Sequence, residues 1–214
     1  KRMERMKNEF VSTVSHELRT PLTSIRGSLG LLVGGVAGEL PERAKSMVTI
    51  AHNNAERLVR LINDILDIEK IESGKLSLDL QTYDMGALTR SALEANRAYG
   101  ESLNVRFELQ DALQTPFLVR ADADRLQQVL ANLLSNAAKY SPMGDVVCVR
   151  LEQEKNGGKS AVRVSIEDGG NGVPPEFRER IFSKFAQADS SDTRQKGGTG
   201  LGLAISKSLV EQMG

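Results

Sequence analysis

The chain has 214 residues, with 28 Lys+Arg balancing 28 Asp+Glu, and 40% of it is hydrophobic. That suffices for a packed core in one large or two small domains. Zero net charge argues against a broad basic face for nucleic acid or an anionic membrane, and the lack of Trp argues against base-stacking platforms. A single cysteine, Cys148, excludes an internal disulfide framework and fits a reducing compartment. No run of about 18 apolar residues is present to span a membrane. The chain opens on Lys1 rather than Met, as an excised piece would. Nine of its 19 glycines crowd between positions 157 and 202.

Residues 1 to 72 read as two long helices. Phe10, Val14, Leu18, Leu22, Ile25, Leu29 and Leu32 recur at steps of three and four, which predicts one apolar stripe on the first. Gly34, Gly35 and Gly38 stop that pattern, and Pro41 opens the next helix. On the second, Met47, Ala51, Asn54, Leu58, Leu61, Ile65 and Ile68 form a heptad seam, with Asn54 placed to fix register. A hairpin of two such helices buries too little by itself, so a second copy is expected to complete a four-helix bundle. A hinge is expected at 73–77. Beyond it, Leu76 to Leu80 alternates like a strand, 84–100 is helical with Asp84 as cap, and Val105–Leu109 and Phe117–Val119 read as strands. Asp122 to Tyr140 is a strongly amphipathic helix. Val146–Glu152 and Ala161–Ile166 form a hairpin around Asn156-Gly157-Gly158, and a last helix spans Leu201 to Gln212. The second domain, 78–214, is therefore expected to be a mixed sheet with helices on one face.

On the first helix, Ser15-His16-Glu17-Leu18-Arg19-Thr20-Pro21-Leu22 puts His16 opposite the apolar stripe and Thr20 one turn on along the same outward face. Position alone also fits a solvated surface histidine. The chemical reading is an exposed nucleophile, since neutral imidazole attacks well near neutral pH. Glu17 would accept the proton of its other ring nitrogen, and Thr20 would position a water or phosphoryl oxygen. Pro21 should bend the helix. His52, the only other histidine, is not spaced for a zinc site.

The second domain lacks both the Walker sequence and the dinucleotide fingerprint. It offers another constellation. Asn132, Asn136 and Lys139 share one helix face by i, i+4 and i+7 spacing, where an amide can ligate Mg²⁺ and an ammonium can meet phosphate. Asp168-Gly169-Gly170-Asn171-Gly172 ends a strand with a carboxylate able to accept from an exocyclic amine, and glycines that admit a flat ligand. Gly197-Gly198-Thr199-Gly200-Leu201-Gly202 runs into a helix start, an anion site. Between the last two, Phe182, Phe185 and the polar stretch 190–196 read as a lid, with Arg194 and Lys196 facing a terminal phosphate.

Ser15 to Leu22 resembles the phosphoacceptor motif of sensor histidine kinases. Asn132 to Tyr140 resembles their asparagine box, Asp168 to Gly172 and Gly198 to Gly202 their two glycine boxes, and Phe182 to Phe185 their phenylalanine box. The resemblance covers essentially the whole chain. It implies an α+β fold: an antiparallel helical hairpin (1–72), a four-helix bundle as a dimer, followed by an α/β sandwich of the GHKL or Bergerat type that binds ATP. It implies that His16 is phosphorylated, that Glu17 assists as base and that Thr20 supports dephosphorylation of a response regulator. Asn136 would ligate Mg²⁺, with Asn132 lining the same side where related ATPases carry a glutamate base. Lys139 and Tyr140 would bound the nucleotide, Asp168 would read the adenine amine, and Gly170 and Gly172 would shape its pocket. Gly198, Thr199, Gly200, Leu201 and Gly202 would hold phosphates, with Phe185, Arg194 and Lys196 in the lid. Gly169 departs from the polar residue more common there, so a looser loop is expected, and the family's sheet continues with two strands beyond Gly214.

The function so implied is an ATP-dependent histidine autokinase in two-component signalling, passing the phosphoryl group to an aspartate of a receiver domain. No nucleic-acid partner is expected, and membrane contact is expected only through segments preceding Lys1, the chain being the cytoplasmic portion of a bacterial sensor. The competing readings are a nucleotide-hydrolysing switch of the chaperone kind and a signalling scaffold without turnover.

Overall fold

The computed structural model describes residues 2–112, 116–187 and 198–214, with only the backbone described at 2–10, 12, 111, 156 and 159. It divides into two compact units, Lys1–Leu76 and Ser77–Gly214.

The first unit is a helical hairpin of α1 (Arg2–Val33) and α2 (Glu42–Glu72). Both helices end in the same device. Gly35 (φ 78°) and Gly74 (φ 65°) take the left-handed conformation just past the helix end. Gly35 and Val36 donate back to Leu32 and Leu31, and Gly74 and Lys75 donate back to Ile71 and Lys70. This paired bonding satisfies carbonyls that the helix leaves orphaned, and it favours glycine at the turn. The segment expected to act as a hinge thus begins in a well-formed helix cap. Pro21 lies inside α1, which runs through it unbroken.

The hairpin's buried stripe differs from the predicted one. On α2 the buried apolar residues are Ala55, Val59, Ile62 and Leu66, each one position beyond Asn54, Leu58, Leu61 and Ile65 of the expected seam, and Asp67 is buried next to Leu66. Met47 is 72% exposed, Leu18 48% and Leu58 45%, with Val14 and Ile25 also exposed. Within one chain the predicted stripes therefore flank the α1–α2 contact. Asn54 does not fix register there: it is exposed, and its amide donates to the Ile50 carbonyl of its own helix.

The second unit runs β1 (Gln81–Asp84), α3 (Met85–Ser102), β2 (Arg106–Asp111), β3 (Leu118–Ala121), α4 (Ala123–Tyr140), β4 (Val146–Asn156), β5 (Lys159–Glu167), the single-turn α5 (Pro175–Arg178) and α6 (Gly202–Met213). The main sheet has order β2-β4-β5, parallel then antiparallel, while β1 and β3 pair separately. Leu76 to Leu80 is not a strand. Its alternating leucines are half-buried, but the Asp79 N–H donates to the Asp122 carboxylate rather than to a neighbouring strand.

The remaining predicted elements form near their expected positions, for identifiable reasons. Asp84 accepts from the Gly86 and Ala87 N–H groups to start α3, and Asp122 accepts from Arg125 to start α4. Gly157 and Gly158, both with positive φ, make the β4–β5 turn. Alternation on β4 buries Val147, Val149 and Leu151. Against that face, α3 and α4 bring Ala92, Leu130, Leu134, Ala137 and Ala138. The core thus holds α4 by one face and leaves its polar face for the site.

Candidate active site

On the hairpin, Ser15 is buried at 5% exposure. His16, about 100° further round the helix, is exposed, as are Glu17 and Thr20. Within the same motif, the Arg19 guanidinium donates to Asn63 Oδ1 of α2 at 3.0 Å, which ties this turn of α1 to its partner helix.

In the second unit, two separate segments meet along α4: the loop after β5 and the glycine run that leads into α6. At the C-terminal end of α4, the carbonyl of Tyr140 lies so near Gly170 that a Cβ there would stand 2.7 Å from the oxygen. One residue back, the Lys139 ammonium is at contact distance from Gly198: a Cβ on that glycine would lie 3.4 Å from Nζ. The same ammonium sits 4.8 Å from the centre of the Tyr140 ring, a cation–π contact. Two turns back, Asn132 Nδ2 donates to Ser206 Oγ at 2.9 Å, and its amide oxygen fills the space where Gly202 lacks a side chain. Asn132 is therefore turned toward α6, joining the two helices at the site's base. Asn136 lies half-buried between these contacts.

The loop after β5 is organised by its own carboxylate. Asp168 Oδ1 accepts the Gly170 N–H at 2.9 Å, which occupies one of its two oxygens. Gly172 takes φ 74°, a left-handed conformation that suits glycine. In the second glycine segment, Gly200 has φ 70° and packs on the backbone of Phe185 and Ala186. Phe185 itself has φ 59°, a strained conformation for an aromatic residue, and is 67% exposed. Gln187 Nε2 donates to the Gly198 carbonyl at 2.9 Å. Thr199 Oγ1 accepts the Leu201 N–H at 3.2 Å, while the Leu201 side chain is fully buried and anchors the start of α6. Arg194 and Lys196 lie outside the described residues.

Three participants carry no sequence signal of their own: Ser206, Gln187 and Asp145, whose Oδ2 accepts the Gly169 N–H at 3.0 Å. The Gly169 loop expected to be loose is thereby pinned.

Comparison with known proteins bears on both units. A family model described as the His Kinase A (phospho-acceptor) domain matches residues 6–74. A second, the histidine kinase-, DNA gyrase B- and HSP90-like ATPase, matches residues 121–214. The solved structure of the mycobacterial sensor histidine kinase MprB is 34% identical, with a TM-score of 0.52, matching 63% of this chain and 80% of that one. The chain belongs to the sensor histidine kinase family. Over nearly its full length, this histidine kinase core is 41% identical to the circadian input-output histidine kinase CikA of Synechococcus elongatus (97% of this chain, 27% of CikA). It is 35% identical to the sensor histidine kinase WalK of Bacillus subtilis (34% of WalK). The crystal structure of full-length ShkA in complex with AMPPNP matches 95% of the chain at 32% identity and TM-score 0.73, over 40% of ShkA. The chain thus spans about a third or less of the two curated relatives just named. Among the described residues, no helix of the kinase core is long and apolar enough to cross a membrane.

Proposed function

We propose that this chain is the catalytic core of an ATP-dependent histidine autokinase. The supporting observation is the pairing, in one chain, of an outward-facing His16 beside a buried Ser15 with a site assembled from two glycine segments along α4. In this reading ATP lies against α4. The Asp168 carboxylate accepts from the adenine amine, Gly170 and Gly172 shape the base pocket, and Tyr140 bounds it. Lys139 and the backbone around Gly198 to Gly202 meet the phosphates, with Phe185 on the lid side.

The donor set fits Mg²⁺ carried by the nucleotide rather than by a protein cage. The described residues hold no cluster of three or more His, Cys, Asp or Glu able to bind a metal, while Asn136 is half-buried on α4 between Asn132 and Lys139. Mg²⁺ commonly takes only one or two protein ligands plus substrate phosphates. Asn136 would hold it, and the ion would neutralise charge on the transferred group.

His16 forms a bond from a ring nitrogen to the γ-phosphorus as the bond from that phosphorus to the β–γ bridging oxygen breaks. ADP leaves, and Glu17 takes the proton from the imidazole. The phosphoryl group then passes to a receiver-domain aspartate, freeing the imidazole, and Thr20 positions the water that later hydrolyses that aspartyl phosphate to the free carboxylate and inorganic phosphate. The 73–77 segment carries the domain motion this requires. A second copy covers the exposed Val14, Leu18, Ile25, Met47 and Leu58. The chain acts on the cytoplasmic side of a sensor, where ATP and the receiver are found.

Incubation with γ-labelled ATP tests the reading. Label on the protein that is acid-labile, base-stable and absent from His16→Gln supports it. Label persisting in His16→Gln, or steady phosphate release with no labelled protein, refutes it.

A further inference from the structure

Gly169 poses a question that the glycine motif does not answer. Its φ is not in the left-handed region, unlike that of Gly172, so its backbone is open to any residue. Space is what calls for glycine: a Cβ at 169 would stand 2.6 Å from Oδ2 of Asp145 and 3.1 Å from the rest of that carboxylate. The same Oδ2 accepts the Gly169 N–H at 3.0 Å. A side chain at 169 would therefore displace the carboxylate and break the bond at one stroke.

Asp145 is itself held firmly. Its N–H donates to the Pro142 carbonyl at 3.2 Å, its carbonyl accepts from Arg106 at 3.1 Å, and Gly144 donates to Asn104 at 2.7 Å. It thus stands at the junction of the α4 exit and the start of the β2–β4 ladder. Its carboxyl is held below the usual range by the Val146 N–H first, with the Gly169 N–H adding to it against the effect of burial. A charged acceptor on a backbone N–H is a stronger tether than a neutral one.

We infer that Asp145 is a positioning residue for base recognition: by tethering the Gly169 N–H it sets where the neighbouring Asp168 carboxylate stands. The chain of contacts is short. Asp145 holds residue 169, Asp168 is covalently next to it, and Gly170 closes the turn between Asp168 Oδ1 and the Tyr140 carbonyl. Asp145 reaches the nucleotide only through Asp168, so its loss changes base discrimination without changing phosphate binding. The inference rests on the reading of Asp168 as the adenine-recognising group.

The test uses the full chain and calorimetric titration with ATP, GTP and inorganic triphosphate, with melting temperatures measured alongside. Asp145→Ala should weaken ATP binding about tenfold, the scale of one charge-assisted hydrogen bond, while GTP and triphosphate affinities hold. Gly169→Ala should do the same. The double variant should be no weaker than either single one, because both break one tether. Asp145→Asn retains an acceptor oxygen and should stay within about threefold of the parent. An unchanged ATP-to-GTP ratio in Asp145→Ala, or additive losses in the double variant, overturns the proposal. Should Asp145→Ala fail to fold, Gly169→Ala with parental ATP affinity overturns it equally. A parent chain that binds triphosphate but does not prefer ATP to GTP fails the Asp168 reading itself and takes this proposal with it. That outcome is visible before any variant is made.

Discussion

Replacing Gly170 by alanine isolates the role of close packing at the base pocket. The glycine's φ lies outside the left-handed region, so alanine meets no backbone strain there. It meets two oxygens instead, with its Cβ 2.7 Å from both the Tyr140 carbonyl and Asp168 Oδ1. Ordinary contact begins at 3.4 Å, so roughly 0.7 Å must be found. The Tyr140 carbonyl ends α4, whose other face is locked into the core by Leu130, Leu134 and Ala137, so the loop gives way rather than the helix. Overpacking of this size costs about 1–3 kcal/mol. The displaced Asp168 also loses its bond to the Gly170 N–H, and ATP affinity should fall at least about tenfold. Gly172→Ala is the matched control. Its Cβ meets nothing within 4 Å but its φ is 74°, so it should cost about 1–2 kcal/mol of strain with a smaller loss of ATP affinity. Urea melts give the first quantity and ATP titration the second. ATP binding by Gly170→Ala at the parental affinity, or a larger binding loss in Gly172→Ala, would refute the packing argument.

Asp84→Ala removes the acceptor of the Gly86 and Ala87 N–H groups and of Phe117 from across the β1–β3 pair; it should lower stability in urea melts by about 1–2 kcal/mol. Leu134→Ala, at 1% exposure on the core face of α4, should cost about 2–5 kcal/mol in the same assay. Stability should also fall in acid through Asp122 and Asp145. For Asp122, burial opposes ionisation, but the N–H groups of Arg125 and Asp79 outweigh it and the net shift is downward; Asp145 is lowered too, by the Val146 N–H foremost. A lowered folded pKa means stability that is fully present above the ordinary value of 3.8 and is lost as pH falls below it through the folded value. Melts at pH 5 and 3 should therefore show less acid sensitivity in Asp122→Asn than in the parent. Equal sensitivity in the two would count against the shift at Asp122.

How much of this was readable from the sequence depends on whether the information is local. α4 was, because its cap Asp122 and its apolar period lie in the same short run, and the Gly157-Gly158 turn was for the same reason. Leu76 to Leu80 shows the limit of a local pattern: alternation announces a strand only when a neighbour supplies the ladder, and here an aspartate side chain takes the Asp79 N–H. At the site, the glycines that approach α4 closely (Gly170, Gly198, Gly202) and the residues they approach (Tyr140, Lys139, Asn132) announced themselves in the motifs. The partners at positions 145 and 206 did not. Asp145 acts on a backbone N–H, which every residue but proline carries, so nothing in the type of residue 169's partner could mark it. Ser206 similarly matters only through an amide 74 positions away.

The hairpin forms as expected, but the stripe that α2 buries within it differs from the expected seam in an instructive direction. Helix α2 is apolar along two adjoining stripes, and periodicity identifies a stripe without naming its partner. The stripe with the larger side chains, Met47, Leu58, Leu61 and Ile65, looked like the seam, yet α1 packs against Ala55, Val59, Ile62 and Leu66. Smaller residues such as Ala55 and Ser15 let two helices of one chain approach closely, whereas larger ones left at the rim are what a further pair of helices needs to interdigitate. Ser15 and His16 show the consequence for function. Because successive residues turn by about 100°, burying Ser15 in the intrachain contact sends His16 outward, and with Leu18 and Val14 exposed on neighbouring turns the proposed second copy must cover those apolar residues without covering the imidazole. The outward histidine is therefore set by which stripe the hairpin buries, and a shift of α1 by one residue would bury His16 in place of Ser15.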